Sequence, residues 1–280
     1  MTTQMEIVTR VGTVPVRTLG EGPAVLAVHG ALVDGRLWDG TAEHLAAHAR
    51  VVVPDLPLGA HRRAVPDRSR LTPTEVAGAL IDVLDGLDLD RAVLLGNDTG
   101  GALAQLAAAG APARTAGLVL AGCDAFEHFP PPLLGPLPAL AALPGTTALL
   151  VRALAVPALF ADPGRLNLFT SRGFDRALVH DWLHPARTDP AVRADLTALI
   201  RGMRPEPLVA AAERLPVLAG RAAVVWGRRD RVFPPRDAER LAALLDTTVT
   251  WLDDALTFVP NDRPDAVADA VRTVLAAADR

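Results

Sequence analysis

The sequence predicts one α/β core domain built on a mostly parallel sheet, and three observations carry that prediction. Short apolar runs alternate with helix-prone stretches along most of the 280 residues, the rhythm of strands joined by crossover helices. A glycine-bracketed turn, Gly96-Asn97-Asp98-Thr99-Gly100-Gly101, joins one such run to one such stretch. A long proline-rich segment interrupts the alternation, which then resumes to the end of the chain.

Taken in order, Met5 to Arg10 and Thr13 to Thr18 alternate in polarity across a glycine, which predicts an antiparallel hairpin at a sheet edge. Ala24 to Val28, Val51 to Val53, Ala92 to Leu95 and Gly117 to Leu120 are apolar runs of buried-strand type. Between them, Leu37 to His48, Thr74 to Leu84 and Gly101 to Ala109 have helical composition. The second helix starts at a capping box, Thr72 with Glu75 three residues on and Pro73 in the first turn. Ala222 to Trp226, a helix at Arg236 to Leu245, Thr247 to Leu252 and a last helix from Pro264 to Ala278 bring the expected sheet to eight strands. Residues 126–218 are too long for a loop in a compact domain. They predict a helical lid inserted after the sixth strand, dividing the core into residues 1–125 and 219–280.

Half the residues are hydrophobic and the net charge is -4, which suits a soluble globular protein and not a nucleic-acid binder. Every basic residue is arginine; alanine is abundant too, a pattern of GC-rich coding. Cys123 is the single cysteine, so no intramolecular disulfide forms. The apolar stretch from Leu133 to Phe160 is broken by Pro136, Pro138, Pro144, Arg152 and Pro157, so it does not cross a bilayer as one helix. The first residues lack the basic start and apolar run of a signal peptide, and a cytoplasmic location is expected. No metal-ligand spacing or dinucleotide fingerprint stands out, so neither metal nor cofactor is expected. Oligomeric state is left open, a homodimer included.

The turn at Gly96 to Gly101 has the strand-turn-helix context of a nucleophile elbow, with Asp98 at the strained central position. Gly96 and Gly100 allow backbone to pass where side chains would collide. The plainer reading is a glycine-rich strand-to-helix loop, and the turn alone does not separate the two.

Further segments align with that elbow. His29-Gly30 follows the third strand, Trp226-Gly227-Arg228-Arg229-Asp230 follows the penultimate strand, and Val259-Pro260-Asn261-Asp262-Arg263-Pro264 precedes the last helix. With them the chain resembles the α/β-hydrolase family over nearly its whole length. The resemblance implies the α/β-hydrolase fold, an oxyanion loop at His29, Gly30 and Ala31 whose Ala31 amide pairs with that of Thr99, and Asp230 as the catalytic acid. An aspartate elbow resembles the haloalkane dehalogenases and epoxide hydrolases of the family, where the carboxylate forms an enzyme ester.

The chain departs from the family at Asp254-Ala255-Leu256-Thr257-Phe258, where Thr257 stands in place of the expected histidine and no histidine follows His184. A threonine hydroxyl is far too weak a base to activate water near neutral pH. Dehalogenases carry a tryptophan after the nucleophile and an asparagine or glutamate after the His-Gly pair, where this chain has Thr99 and Ala31; epoxide hydrolases use lid tyrosines, and this chain has no tyrosine.

Candidates to replace the base are His61 in the loop after the fourth strand and His128 at the start of the lid, with Asp124 available to orient a histidine or to act as an acid. Solvated-loop and turn-capping roles are the alternatives for these residues. The expected function is an enzyme acting on a small to medium apolar molecule through Asp98, as nucleophile or proton carrier, with Thr257 contacting substrate or water. A lyase, isomerase or cyclase of secondary metabolism using Asp98 as general acid or base, and a non-catalytic binding protein, are the alternatives. Asp98-Thr99-Gly100 also matches the aspartic-protease triplet, but a single copy before a helix lacks the facing aspartate that such an enzyme needs.

Overall fold

A computed structural model describes residues 2–278. Eight strands, β1 (Thr2–Thr9), β2 (Gly12–Leu19), β3 (Ala24–Val28), β4 (Arg50–Pro54), β5 (Ala92–Asp98), β6 (Thr115–Cys123), β7 (Ala222–Gly227) and β8 (Val249–Leu252), form one sheet in the order β1-β2-β4-β3-β5-β6-β7-β8. The β1–β2 and β2–β4 pairs are antiparallel and the rest parallel. This is the α/β-hydrolase fold.

Strand periodicity explains how one sheet feeds two cores. In β3, Leu26 and Val28 face one core while Val25 and Ala27 face the other; in β5, Leu94 and Val93 divide in the same way. Both faces are apolar, so these strands read as continuous hydrophobic runs. Helices α2 (Pro73–Gly86) and α3 (Thr99–Gly110) cover the first face; α1 (Asp39–Leu45) and, after the insertion, α12 (Pro264–Ala278) cover the second. Thr72 caps α2 by accepting from the Glu75 amide at 3.2 Å, the capping box read from sequence. The expected helix from Leu37 to His48 is instead a 3-10 turn, Gly35–Trp38, followed by α1. Asp34 sets that start by accepting from the Arg36 amide.

Between β6 and β7 lie α4 (Leu137–Leu140), α5 (Thr146–Leu154), α6 (Pro157–Phe160), α7 (Arg176–Thr188), α8 (Pro190–Gly202) and α9 (Pro205–Ala212). Phe160, Phe174, Trp182 and Phe258 form a packed aromatic group, with Phe174–Trp182 centroids 5.1 Å apart and Phe174–Phe258 centroids 5.4 Å apart. It joins the inserted helices to Leu32 and Val33 after β3 and to the segment after β8. Leu199 of α8 and Leu208, Ala211 and Ala212 of α9 pack into the core on the α2 and α3 face, with α9 against α3.

Past β7 come α10 (Pro235–Leu244) and α11 (Val259–Asp262). Asp262, only 1% exposed, fastens the insertion to the core. It accepts from the Thr170 hydroxyl at 2.6 Å, the Ser171 and Arg172 amides, and the Leu256 amide at 2.9 Å. Among the described residues no helix is long and apolar enough to cross a membrane.

Candidate active site

Asp98 ends β5 and precedes α3 with φ 54° and ψ -135°, a backbone state costly for a residue with a Cβ. Close packing holds it there. A Cβ at Gly96 would lie 2.6 Å from the Gly100 carbonyl oxygen, and one at Gly100 would collide with the Val28 and His29 carbonyls. Gly30 has the same necessity from the other side, since its Cβ would overlap the Asp98 carboxylate itself.

The Ala31 amide donates to Asp98 Oδ2 at 3.0 Å, and Thr99, the next residue, lies close enough to lower the carboxyl's pKa. One of the two amides expected to line an oxyanion site, that of Ala31, is thus engaged by the side chain of Asp98. The carboxylate keeps some exposed surface but is closely surrounded by protein. Burial pushes its pKa up to about 6, against the lowering effect of the Thr99 and Ala31 amides.

Asp230, 8% exposed, lies in the loop after β7. Its Oδ1 accepts from the Val232 amide at 2.8 Å, the Phe233 amide at 3.0 Å and the Thr257 hydroxyl at 2.8 Å, while Oδ2 is buried without a partner. Burial raises this carboxyl to about 6 despite those three donors, and the charge of Asp98 adds to the rise. Thr257 is fully buried. Its carbonyl lies 2.8 Å from the amide nitrogen of Asn97, which also reaches the Ala121 and Gly122 carbonyls. Asn97 therefore ties the turn at Asp98 to the Thr257 loop, a structural role that its place beside Asp98 did not disclose.

Asp124, 1% exposed, follows β6 with its Oδ1 unpartnered. Burial holds its pKa well above the usual carboxylate range, and Asp98 and Asp237 repel its charge further. Asp98, Asp124, Asp230 and Asp237 thus share one electrostatic neighbourhood, and each is raised first of all by burial.

The histidines are engaged elsewhere. His29, fully buried, donates from Nδ1 to the Gly30 carbonyl at 2.8 Å and accepts at Nε2 from the Leu56 amide at 2.9 Å. Burial lowers its pKa, so it shapes the loop as a neutral ring. His61 accepts from the Gly59 amide at Nδ1 and faces Asp195 through Nε2 at 3.3 Å. It borders a cavity of about 720 Å³ between the β1–β2 hairpin and residues 55–66, which Asp98 does not line. His128 lies 2.6 Å from Asp237 through Nδ1 and 2.8 Å from Arg236 through Nε2. No histidine hydrogen-bonds to Asp98 among the described residues. The partners Asp195 and Asp237 carry no local sequence signal, since they lie 134 and 109 residues from their histidines. Among the described residues no group of three or more His, Cys, Asp or Glu side chains is placed to hold a metal ion.

A family model described as the alpha/beta hydrolase family matches residues 25–270. The 2-hydroxy-6-oxo-6-phenylhexa-2,4-dienoate hydrolase of Burkholderia cepacia is 30% identical over 233 residues, covering 80% of this chain and 77% of the relative. The 2-hydroxymuconate semialdehyde hydrolase of Pseudomonas sp. (strain CF600) is 27% identical over 234 residues, covering 80% and 76%. Among solved structures, the haloalkane dehalogenase of Bradyrhizobium elkani USDA94 superposes with a TM-score of 0.81 at 19% identity, covering 100% of this chain and 99% of that one. At that identity the likeness speaks for the fold alone.

Proposed function

This chain belongs to the alpha/beta hydrolase family, and from that premise we propose an enzyme that acts on a small to medium apolar molecule through Asp98, whose carboxyl carries a proton to or from the substrate. One observation carries the reading. Thr257, which the resemblance sets in place of the family's histidine, has its hydroxyl proton committed to Asp230 at 2.8 Å.

An ester formed on Asp98 would need a base to activate the water that releases it, and lacking one costs about 10²–10⁴ in rate. His61 and His128 are engaged with Asp195 and Asp237, so neither is assigned that role. Proton transfer has no such requirement. A carboxyl poised at about 6 gives and takes protons near neutral pH. The Ala31 amide fixes Oδ2, and a substrate would meet the carboxyl at the surface that it keeps exposed. Asp230 and Asp124 are neighbouring buried carboxyls whose repulsion with Asp98 favours the protonated forms, with residues 126–218 as the lid that keeps water from the site.

The relatives' names support a substrate class. A 2-hydroxy-6-oxo-dienoate is an enol conjugated to a ketone, and its tautomers interconvert by proton transfer at carbon and oxygen. We propose an enolisable carbonyl compound of this kind as substrate, with hydrolysis as the family's outcome and isomerisation or elimination as outcomes of the same proton step.

The test is solvent exchange. Enolisable ketones incubated with the protein in deuterium oxide are expected to gain deuterium at the acidic carbon, read by NMR, with Asp98→Asn slower by about a hundredfold or more. Equal exchange in both proteins refutes the reading. A second reading, covalent attack by Asp98, draws support from the same Ala31 contact, because an ester carbonyl at Oδ2 would be polarised by that amide. It is distinguished by a persistent mass increase on Asp98 after treatment with haloalkanes or epoxides.

A further inference from the structure

A cavity of about 240 Å³ lies between the segment around residues 164–171 and the loop after β7, and Arg165, Arg229 and Arg231 line it. All three side chains belong to exposed residues, and none forms an ion pair with a carboxylate among the described residues. The nearby acids are already committed. Asp253 pairs with Arg228 at 2.8 Å, Asp254 with Arg263 at 3.2 Å and Asp162 with Arg176 at 2.6 Å. Asp262 is buried and spends its oxygens on hydroxyl and backbone donors, and Asp230 is buried with Oδ1 taken by the Val232 and Phe233 amides and the Thr257 hydroxyl.

The other polar groups lining the cavity are spent as well. Asn167, 2% exposed, donates to the Phe160 and Asp162 carbonyls and accepts from the Phe169 and Thr170 amides. The Thr170 hydroxyl donates to Asp262, and the Ser171 hydroxyl bonds the Asp254 carbonyl. These bonds fix the segment that carries Arg165 and leave Arg165, Arg229 and Arg231 as the residues of the lining whose donors have no carboxylate partner among the described residues. Guanidinium forks match the paired oxygens of carboxylate and phosphate.

We propose that this cleft binds the oxyanion group, carboxylate or phosphate, of a small organic acid through Arg165, Arg229 and Arg231. The inference is independent of the chemistry assigned to Asp98. It draws on a different cavity and is read by binding alone.

Calorimetric titration at low ionic strength tests it, with benzoate and phenyl phosphate as probes and benzamide as the neutral counterpart of benzoate. The acids are expected to bind at one site per chain, with benzamide not binding. The double variant Arg165→Gln/Arg231→Gln is expected to weaken them about tenfold or more, with an unchanged melting temperature because both residues are exposed, while Asp98→Asn binds like the parent. Preference between the two acids separates a carboxylate site from a phosphate site. Absence of acid binding up to about 10 mM, equal binding of benzamide, or unaltered affinity in the double variant overturns the proposal.

Discussion

Thr257 donates its hydroxyl to Asp230 Oδ1 at 2.8 Å, and both residues are buried. A hydroxyl has one proton, and here it serves a carboxylate that also takes the Val232 and Phe233 amides. The pair thus keeps Asp230 supplied with donors without creating a base. Replacing Thr257 by Val removes one donor and keeps the shape. The expected cost is about 1–2 kcal/mol of stability, measured by urea denaturation, with turnover reduced less than about tenfold. A loss as large as that of Asp98→Asn would make Thr257 part of the chemistry.

Asp98→Asn keeps an oxygen to accept the Ala31 amide, so the turn survives the change. Turnover is expected to fall by about 10²–10⁴ with an unaltered circular dichroism spectrum. Retained turnover removes Asp98 from the mechanism.

Gly30→Ala tests the space around the same carboxylate. The added carbon would overlap Asp98, displacing the group proposed to react, and a shift of about 1 Å costs on the order of a hundredfold in rate. Gly100→Ala would instead strike the Val28 and His29 carbonyls, so it is expected to show in melting temperature first.

The raised carboxyls fix the sign of a pH effect on stability. Asp98 and Asp230, each pushed to about 6, hold protons more tightly in the folded chain than in the unfolded one. Their contribution is therefore full below the ordinary aspartate pKa and is lost as pH rises toward about 6. The parent should lose about 1–3 kcal/mol relative to Asp98→Asn between about pH 4 and pH 7. Carboxyls such as Asp265, drawn down to about 2 by Arg263, act in the opposite sense at lower pH and cancel in the comparison. A pH-independent difference between parent and variant contradicts the raised Asp98.

The fold was legible because burial leaves a periodic trace. The apolar runs became β3 to β7, and the last helix spans the expected Pro264–Ala278. The turn at Asp98 was legible because Gly96 and Gly100 leave room for backbone that nothing larger would allow. The surroundings of His61 and His128 were not, since their partners come from distant segments brought close only by tertiary packing. The short helices of residues 137–160 carry too few turns for a helical period to stand out among their prolines.

The central claim is that Asp98 moves a proton and forms no ester. Its most direct test is turnover of a responsive substrate in ¹⁸O-labelled water, followed by mass analysis of the peptide carrying Asp98. Proton transfer predicts that the carboxyl keeps its ordinary oxygen after many turnovers. Label appearing in Asp98 would mean that water had cleaved an ester there, and would contradict the account.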